Sequence, residues 1–419
     1  MIVRFCAYGF LKNQRYFEPF LVLALLDWGA TFVSVGALLG LRQVVRNLFE
    51  IPSGALADLW GRRRAMVLAF VAYLMGLLGF AVVPHIGGWA VGMALFGVGD
   101  AFRSGTHKAM IFEWLEQQGR AGENTKVYGY TRSWSKLGSA SSIGVAVAIV
   151  LAGGSYALTF WATALPWALN ALNLATYPAS LEGQARSRDS MRVGAVFRHL
   201  WTAGRQTIGN ARLRHLLFQA MTFEGINKAT KDFVQPAAVA VAAGLSIAAS
   251  DRVETTVVVG AAYFIMHLVS ATASRQAHRV VAAFGRPEAA LRATWLALTA
   301  CLAIASGAGW ASGAVVVLAV VGFAAVAVLS DIFRPVLVSC IDAETDRSHK
   351  ATVLSLESQA SSAAAAILAP AAGWAADLAA SSPGAPDGVW AVAAMGLAVA
   401  IVAQGYIYLG GSGAQRPQA

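Results

Sequence analysis

Apolar residues run through the chain in stretches of about 20, broken by short turns rich in glycine or arginine. A helix of that length crosses the hydrocarbon of a bilayer, so the pattern predicts twelve membrane-spanning helices. Six fall at 3–26, 31–57, 65–84, 89–116, 126–151 and 155–178, and six at 213–243, 253–274, 289–307, 310–342, 350–380 and 388–410. The expected fold class is all-α: twelve transmembrane helices in two pseudo-symmetric six-helix bundles. Three parts follow, residues 1–178, a basic cytoplasmic linker at 179–212, and residues 213–419.

The first boundary needs more than hydropathy. The cleanest early apolar run is Pro19 to Leu41, but Asp27-Trp28-Gly29-Ala30 is a turn-forming cluster that ends one helix and starts the next. Breaking the chain there leaves Lys12, Arg15 and Glu18 near mid-membrane, each carrying an insertion penalty of about 2.5–3.5 kcal/mol. In return the amino terminus lies on the same side as Arg62, Arg63 and Arg64, consistent with the later basic loops. Within the linker, Met191, Val196, Phe197, Leu200 and Trp201 recur at helical spacing opposite several arginines. An amphipathic helix lying on anionic lipid head groups is expected there.

Composition agrees with a chain buried in lipid. Of its 419 residues 57% are hydrophobic and 13% charged, with a mean hydropathy of +0.58, against about a quarter charged in soluble domains. The net charge of +10 would suggest nucleic acid in a soluble protein. Here about twenty of the 32 Lys and Arg fall in alternating loops or at the termini, and the opposite loops hold about one, Arg252. Topology therefore accounts for most of the basic excess, both termini are expected in the cytoplasm, and no nucleic-acid partner is expected. Cys6, Cys301 and Cys340 lie in apolar stretches without metal-ligand spacing and are expected unpaired. No cleavable signal peptide is expected, because Lys12, Asn13 and Arg15 interrupt the first apolar segment.

Between the second and third spans lies Gly54-Ala-Leu-Ala-Asp58-Leu-Trp-Gly61-Arg62-Arg63-Arg64. This stretch, with the twelve spans and the central basic loop, resembles the major facilitator superfamily of transporters, whose signature loop reads Gly-x-Leu-x-Asp-x-x-Gly-Arg-[Arg/Lys]-[Arg/Lys]. The resemblance covers essentially the whole chain. It implies secondary transport by alternating access, with two halves rocking about a midplane site. It also implies a conformational-switch role for Gly54, Asp58, Gly61, Arg62 and Arg63. Gly54 would let helices pack closely, Gly61 would permit the tight turn, and Asp58 would meet the amino terminus of the eleventh helix near residue 350. Arg62–Arg64 would hold lipid phosphates and neighbouring carboxylates. The chain departs from the pattern at Leu59, where a basic residue is usual, and in the faint echo of the motif from Ser274 to Arg286, which lacks its Asp. The fifth span has Gly138 and Gly144 but no Gly-Pro pair of the kind seen in many drug/proton antiporters. The fourth lacks the usual arginine ahead of Gly97-Val-Gly99 and bears Asp100. Gly373-Trp-Ala-Ala-Asp377 resembles a family packing feature of little functional weight.

Ionisable side chains inside spans face one another or a wet cavity, and this chain has many. Arg42, Arg46 and Glu50 step by four along the second span; Asp100, Arg103 and His107 form a stripe in the fourth; Tyr128, Arg132, Ser135 and Lys136 form another in the fifth. Glu224, Asn227, Lys228, Lys231 and Asp232 lie in the seventh, Asp331 and Arg334 in the tenth, Glu357 in the eleventh. Structural ion pairing would explain any one of these. Collectively, cations outnumber anions, and low-dielectric walls would focus a positive field on an organic or phosphorylated anion. Arg42, Arg46, Arg103, Arg132 and Lys228 are the expected substrate contacts, since cationic side chains, and guanidinium forks above all, match carboxylate and phosphate. Glu50, Asp100 and His107 are the expected proton-coupling groups, with substrate displacing an arginine from Glu50.

Two other functions fit parts of the sequence. Tyr8, Tyr16, Phe17, Trp134 and Trp167 would line a greasy site for efflux of amphipathic drugs by proton antiport. Gly97-Val-Gly99-Asp100 matches the Gly-x-Gly-Asp of intramembrane aspartyl proteases, but that chemistry needs a second Asp sharing a proton, and neighbouring spans supply none. No Walker loop, His-Glu-x-x-His helix or Gly-x-Ser-x-Gly elbow is present. The expectation is a multi-pass plasma (inner) membrane transporter rather than an enzyme, a monomer needing no cofactor or metal, with a small solute, the bilayer and protons as partners.

Overall fold

Helices follow one another from Ile2 to Gly411, and among the described residues there is no strand. The computed structural model describes residues 1–182, 205, 209–244, 252–310, 315, 317–345, 350–381 and 388–411. In order the helices are α1 (Ile2–Leu11), α2 (Leu21–Asp27), α3 (Phe32–Trp60), α4 (Arg62–Val82), α5 (Ile86–Arg103), α6 (Thr106–Gln117), α7 (Asn124–Gly153) and α8 (Ala157–Ala175). There follow α9 (Ala211–Thr230), α10 (Val234–Gly244), α11 (Arg252–Phe284), α12 (Pro287–Ala308), α13 (Val317–Ala343), α14 (Lys350–Ala380) and α15 (Val389–Gly411). The amphipathic helix expected at 191–201 lies outside the described residues.

Eight of these are long and apolar enough to cross a membrane, namely α3, α4, α7 and α11 to α15. The remaining spans are α8 and three that are interrupted: α1 with α2, α5 with α6, and α9 with α10. Continuous helices were expected at 3–26, 89–116 and 213–243, and the structure corrects each. In the second pair, Ser104 is extended and Gly105 left-handed at φ 72°, which breaks the helix. In the third, a single 3-10 turn at Lys231–Phe233 intervenes. The helix expected to end at 274 instead continues to Phe284 and stops at Gly285, φ 70°, so the echo of the signature loop is mostly helical.

The break after α1 follows from its polar run. Broken backbone at membrane depth survives only where protein satisfies its polar groups, and α7 and α8 do so here. Asn13 Nδ2 donates to the carbonyls of Gly9 and Ser135 at 2.9 Å each. Gln14 Nε2 donates to the Gly138 carbonyl and Ser141 Oγ. The amides of Arg15 and Tyr16 donate to the hydroxyls of Ser142 and Thr163. The chain then resumes as helix through Pro19 in a short 3-10 turn. This ties Lys12 and Asn13 to the middle of α7.

Contacts divide the chain into two compact units, Met1–Ala30 with Leu41–Val193, and Thr31–Gly40 with Gly194–Ala419. In the first, Phe17, Phe96, Phe160 and Trp167 pack with ring centroids 5.0 to 5.9 Å apart. In the second, Phe223 stacks on Phe333 at 3.9 Å, and buried Trp295 donates its indole N–H to Gln219. Asp377 at the end of α14 accepts from the amides of Phe32 and Val33, at 3.0 and 2.8 Å, and so caps α3. All three cysteines are free.

Candidate functional site

Close helix packing in the first unit draws four polar side chains together. An added Cβ at Gly97 would stand 2.7 Å from the Arg42 carbonyl, and one at Gly99 would meet the Tyr73 ring at 2.6 Å. The two glycines therefore admit α3 and the Tyr73 ring against α5. Arg42 Nε donates to Asp100 Oδ2 at 2.9 Å, with its Nη2 at 2.7 Å from the same oxygen. Tyr73 Oη donates to Asp100 Oδ1 at 2.6 Å and accepts from Arg103 Nε at 3.0 Å, while Arg103 Nη2 stands 3.5 Å from Oδ1. Asp100 thus faces two guanidiniums and a phenol, a knot in which its charge is matched and its oxygens filled. A proteolytic carboxyl would instead share a proton with a second Asp.

Farther along α3, one and two turns beyond Arg42, partners are fewer. Arg46 Nε and Glu50 Oε2 are buried without a hydrogen-bond partner among the described residues. Ser104 Oγ approaches Glu50 Oε1 at 3.4 Å. Among the described residues no arginine is paired with Glu50, where a displaceable one was expected, and Arg42 is turned to Asp100.

A cavity of about 250 Å³ opens between α1, α6 and α7. Lys12, Arg132 and Lys136 line it with Asn13, Thr131, Ser135 and Ser139, and no carboxylate is among its described lining residues. His107 closes one wall, buried, stacked on Tyr8 at 3.7 Å and 3.4 Å from the Tyr177 hydroxyl. Arg132 is therefore the one residue of the five expected substrate contacts that lines this cavity. Arg42 and Arg103 lie in the Asp100 knot. Lys228 belongs to the second unit, where its ammonium donates to Ser362 at 3.1 Å. In that unit buried Glu224 accepts from Ser330 at 2.8 Å, and Arg334 stands 3.4 Å from buried Glu357.

The signature turn is braced by carboxylates. Arg62 meets Glu113 at 2.5 Å, and Arg63 meets Glu182 at 2.6 Å while donating to the Tyr177 carbonyl. Gly61 has φ 101°, a conformation that favours glycine, and a Cβ there would stand 2.9 Å from Glu182 Oε2. Gly54, expected at a close helix contact, instead faces open space among the described residues. The Asp58 side chain lies outside what is described.

Lys12 and Tyr73 were not among the expected site residues. Lys12 showed itself only as a costly charge, and Tyr73 sits unmarked in an apolar helix. Of the aromatics considered for a greasy site, Phe17 and Trp167 are buried in the core, and Tyr8 is stacked on His107. No group of described His, Cys, Asp or Glu side chains could hold a metal ion.

The family profile of the Major Facilitator Superfamily matches residues 1–370. No curated protein matches the chain in sequence. Among solved structures, nucleoside transporter NupG superposes with a TM-score of 0.77 at 12% identity, over 97% of this chain and 98% of that one. A D-xylose-proton symporter gives 0.66 at 14% identity over 96% and 95%, and a mutant of peptide transporter POT gives 0.67 at 13% over 98% and 95%. At such identities the likeness is one of fold.

Proposed function

The chain belongs to the major facilitator superfamily and is a multi-pass membrane protein of that transporter fold; from this premise we propose that it carries a small organic or phosphorylated anion by alternating access. The observation that carries this reading is the cavity between α1, α6 and α7, with three cationic side chains, several hydroxyls and no carboxylate among the described residues of its wall. Charge of one sign on low-dielectric walls raises the local concentration of an opposite ion. Lys12, Arg132 and Lys136 would hold the anion, and Ser135, Ser139 and Asn13 would orient its remaining oxygens. The volume, below the ~300–1,000 Å³ of drug-sized pockets, favours a compact solute over an amphipathic drug.

Glu50 is the proposed proton carrier, since one of its carboxylate oxygens is buried and accepts no hydrogen bond from a described residue. His107 stands at the cavity wall as a second candidate, while Asp100 would set the position of Arg42 and Arg103. Both termini and the Arg62–Arg64 turn would face the cytoplasm, in the plasma (inner) membrane, with the halves 1–178 and 213–419 rocking as a monomer.

The test is uptake into proteoliposomes of small dicarboxylates and sugar phosphates against lipophilic cations, with and without a pH gradient. Anion uptake is expected, with the KM rising about 10- to 100-fold in Arg132→Ala or Lys136→Ala, as for the loss of a charge-assisted hydrogen bond. Loss of the pH dependence in Glu50→Gln would support the proton role. Uptake of lipophilic cations alone would refute the anion reading, and a Glu50→Gln carrier with native pH dependence would remove Glu50 from the cycle.

A further inference from the structure

A second cavity lies in the other unit, where α9 and α12 begin and α15 ends, and it has no part in the proposed transport site. Its volume is about 460 Å³, and the described residues of its wall include Arg212, Arg214, Arg286 and Arg292 with a single carboxylate, Glu288. Arg212 is a strut, bonded to Glu288 at 2.9 Å and to Glu344 at 3.2 Å. The side chains of Arg286 and Arg292 make no ion pair or hydrogen bond to a described residue. The positive ends of the α9 and α12 helix dipoles face the same space; Asn210 accepts from the amides of Arg212 and Leu213 at the start of α9, so the arginines carry the recognition.

The wall is not cationic throughout. Leu216, Leu291 and Ile407 form its apolar side. Arg292 shares a helix face with Leu296 one turn on, which is 57% exposed, and Tyr406 shares one with Val402, 75% exposed. In a membrane-spanning chain such exposed apolar side chains meet acyl chains. One stripe leads from Arg292 and the other from Tyr406, out of the cavity onto this apolar surface. A free phosphate would use only the arginines, whereas a phospholipid would use the whole surface, with its phosphate in the cavity and its chains along Leu296 and Val402.

We propose that this cavity is a binding site for the phosphodiester headgroup of an anionic phospholipid, held by Arg286 and Arg292 with Arg214 at its side. The inference stands independently of the transported solute, of the coupling ion and of which termini face the cytoplasm. Each basic side chain near a lipid headgroup is worth about 1 kcal/mol, about fivefold in affinity.

The test uses the purified full chain in neutral detergent, titrated with phosphatidylglycerol or with phosphatidylcholine of the same acyl chains, and read by native mass spectrometry. Preferential retention of phosphatidylglycerol is expected, falling about 25-fold in the double variant Arg286→Gln/Arg292→Gln, two such losses combined, with phosphatidylcholine retention unchanged. Thermal unfolding without added lipid checks that the variant is folded. Should it not be, Glu288→Gln serves instead: removing the one carboxylate from the wall is expected to raise phosphatidylglycerol retention, Arg212 keeping its bond to Glu344. Equal retention of the two lipids, native retention in the double variant, no gain in Glu288→Gln, or displacement of the lipid by an equimolar amount of inorganic phosphate would each overturn the proposal.

Discussion

Asp100 shows how much of a charged residue's meaning depends on its neighbours. In the sequence it ends a Gly-x-Gly-Asp segment and stands three residues before an arginine, which leaves a proton carrier and an ion pair both open, while a protease would need a second Asp that the neighbouring spans lack. The glycines turn out to be the spacing that lets Arg42 and Tyr73 reach the carboxylate. That could not be read from the chain, since Arg42 and Tyr73 are distant in sequence and Tyr73 lies in an otherwise apolar helix. Removing one member of a buried charged cluster strands the others, at about 3–5 kcal/mol. Asp100→Asn is accordingly expected to lower the unfolding free energy by roughly that amount, measured by thermal or denaturant unfolding in detergent. The double variant Asp100→Asn/Arg42→Gln should recover much of the loss, because it removes the uncompensated guanidinium as well. If the double variant is no more stable than the single one, the knot is not the source of the stability.

At the scale of elements, the long apolar helices were legible because composition alone determines them in lipid. The boundary at Asp27 to Ala30 was legible too: α2 ends at Asp27, and Gly29 turns with φ 90° before α3 begins at Phe32. The interruptions inside spans were not. Hydropathy sums over a window and does not register where hydroxyls of α7 and α8 stand ready to take the amides of Arg15 and Tyr16. The same blindness hid Asp377, which reads as a polar residue near a helix end but binds two amides of α3. Loss of a capping side chain costs about 1 kcal/mol. Asp377→Ala is expected to destabilise the purified protein by that order, and Asp377→Asn by less, because a neutral amide oxygen still accepts one of the two bonds. Equal thermal stability of all three proteins would show that water at the start of α3 satisfies these amides equally well.

For the whole molecule, the signature turn and the cavity differ in what they can influence. Arg62, Arg63, Glu113 and Glu182 brace the turn between α3 and α4, and none of them lines the cavity of the first unit. If alternating access is the mechanism, these ion pairs bias the populations of its states without touching the solute, because a contact shifts an equilibrium only by its difference between the states. Arg62 is held to Glu113 with both side chains part-buried, so a loss of about 1 kcal/mol in one state would move that equilibrium about fivefold. Arg62→Gln and Glu113→Gln are therefore each expected to lower the maximal uptake rate several-fold while leaving the KM near the native value. Arg132→Ala should do the reverse. The charge-swapped pair Arg62→Glu/Glu113→Arg would restore rate if the bond itself sets the bias. A raised KM in Arg62→Gln, with the rate intact, would mean instead that the turn feeds directly into recognition and that switch and site are not separate parts of this carrier.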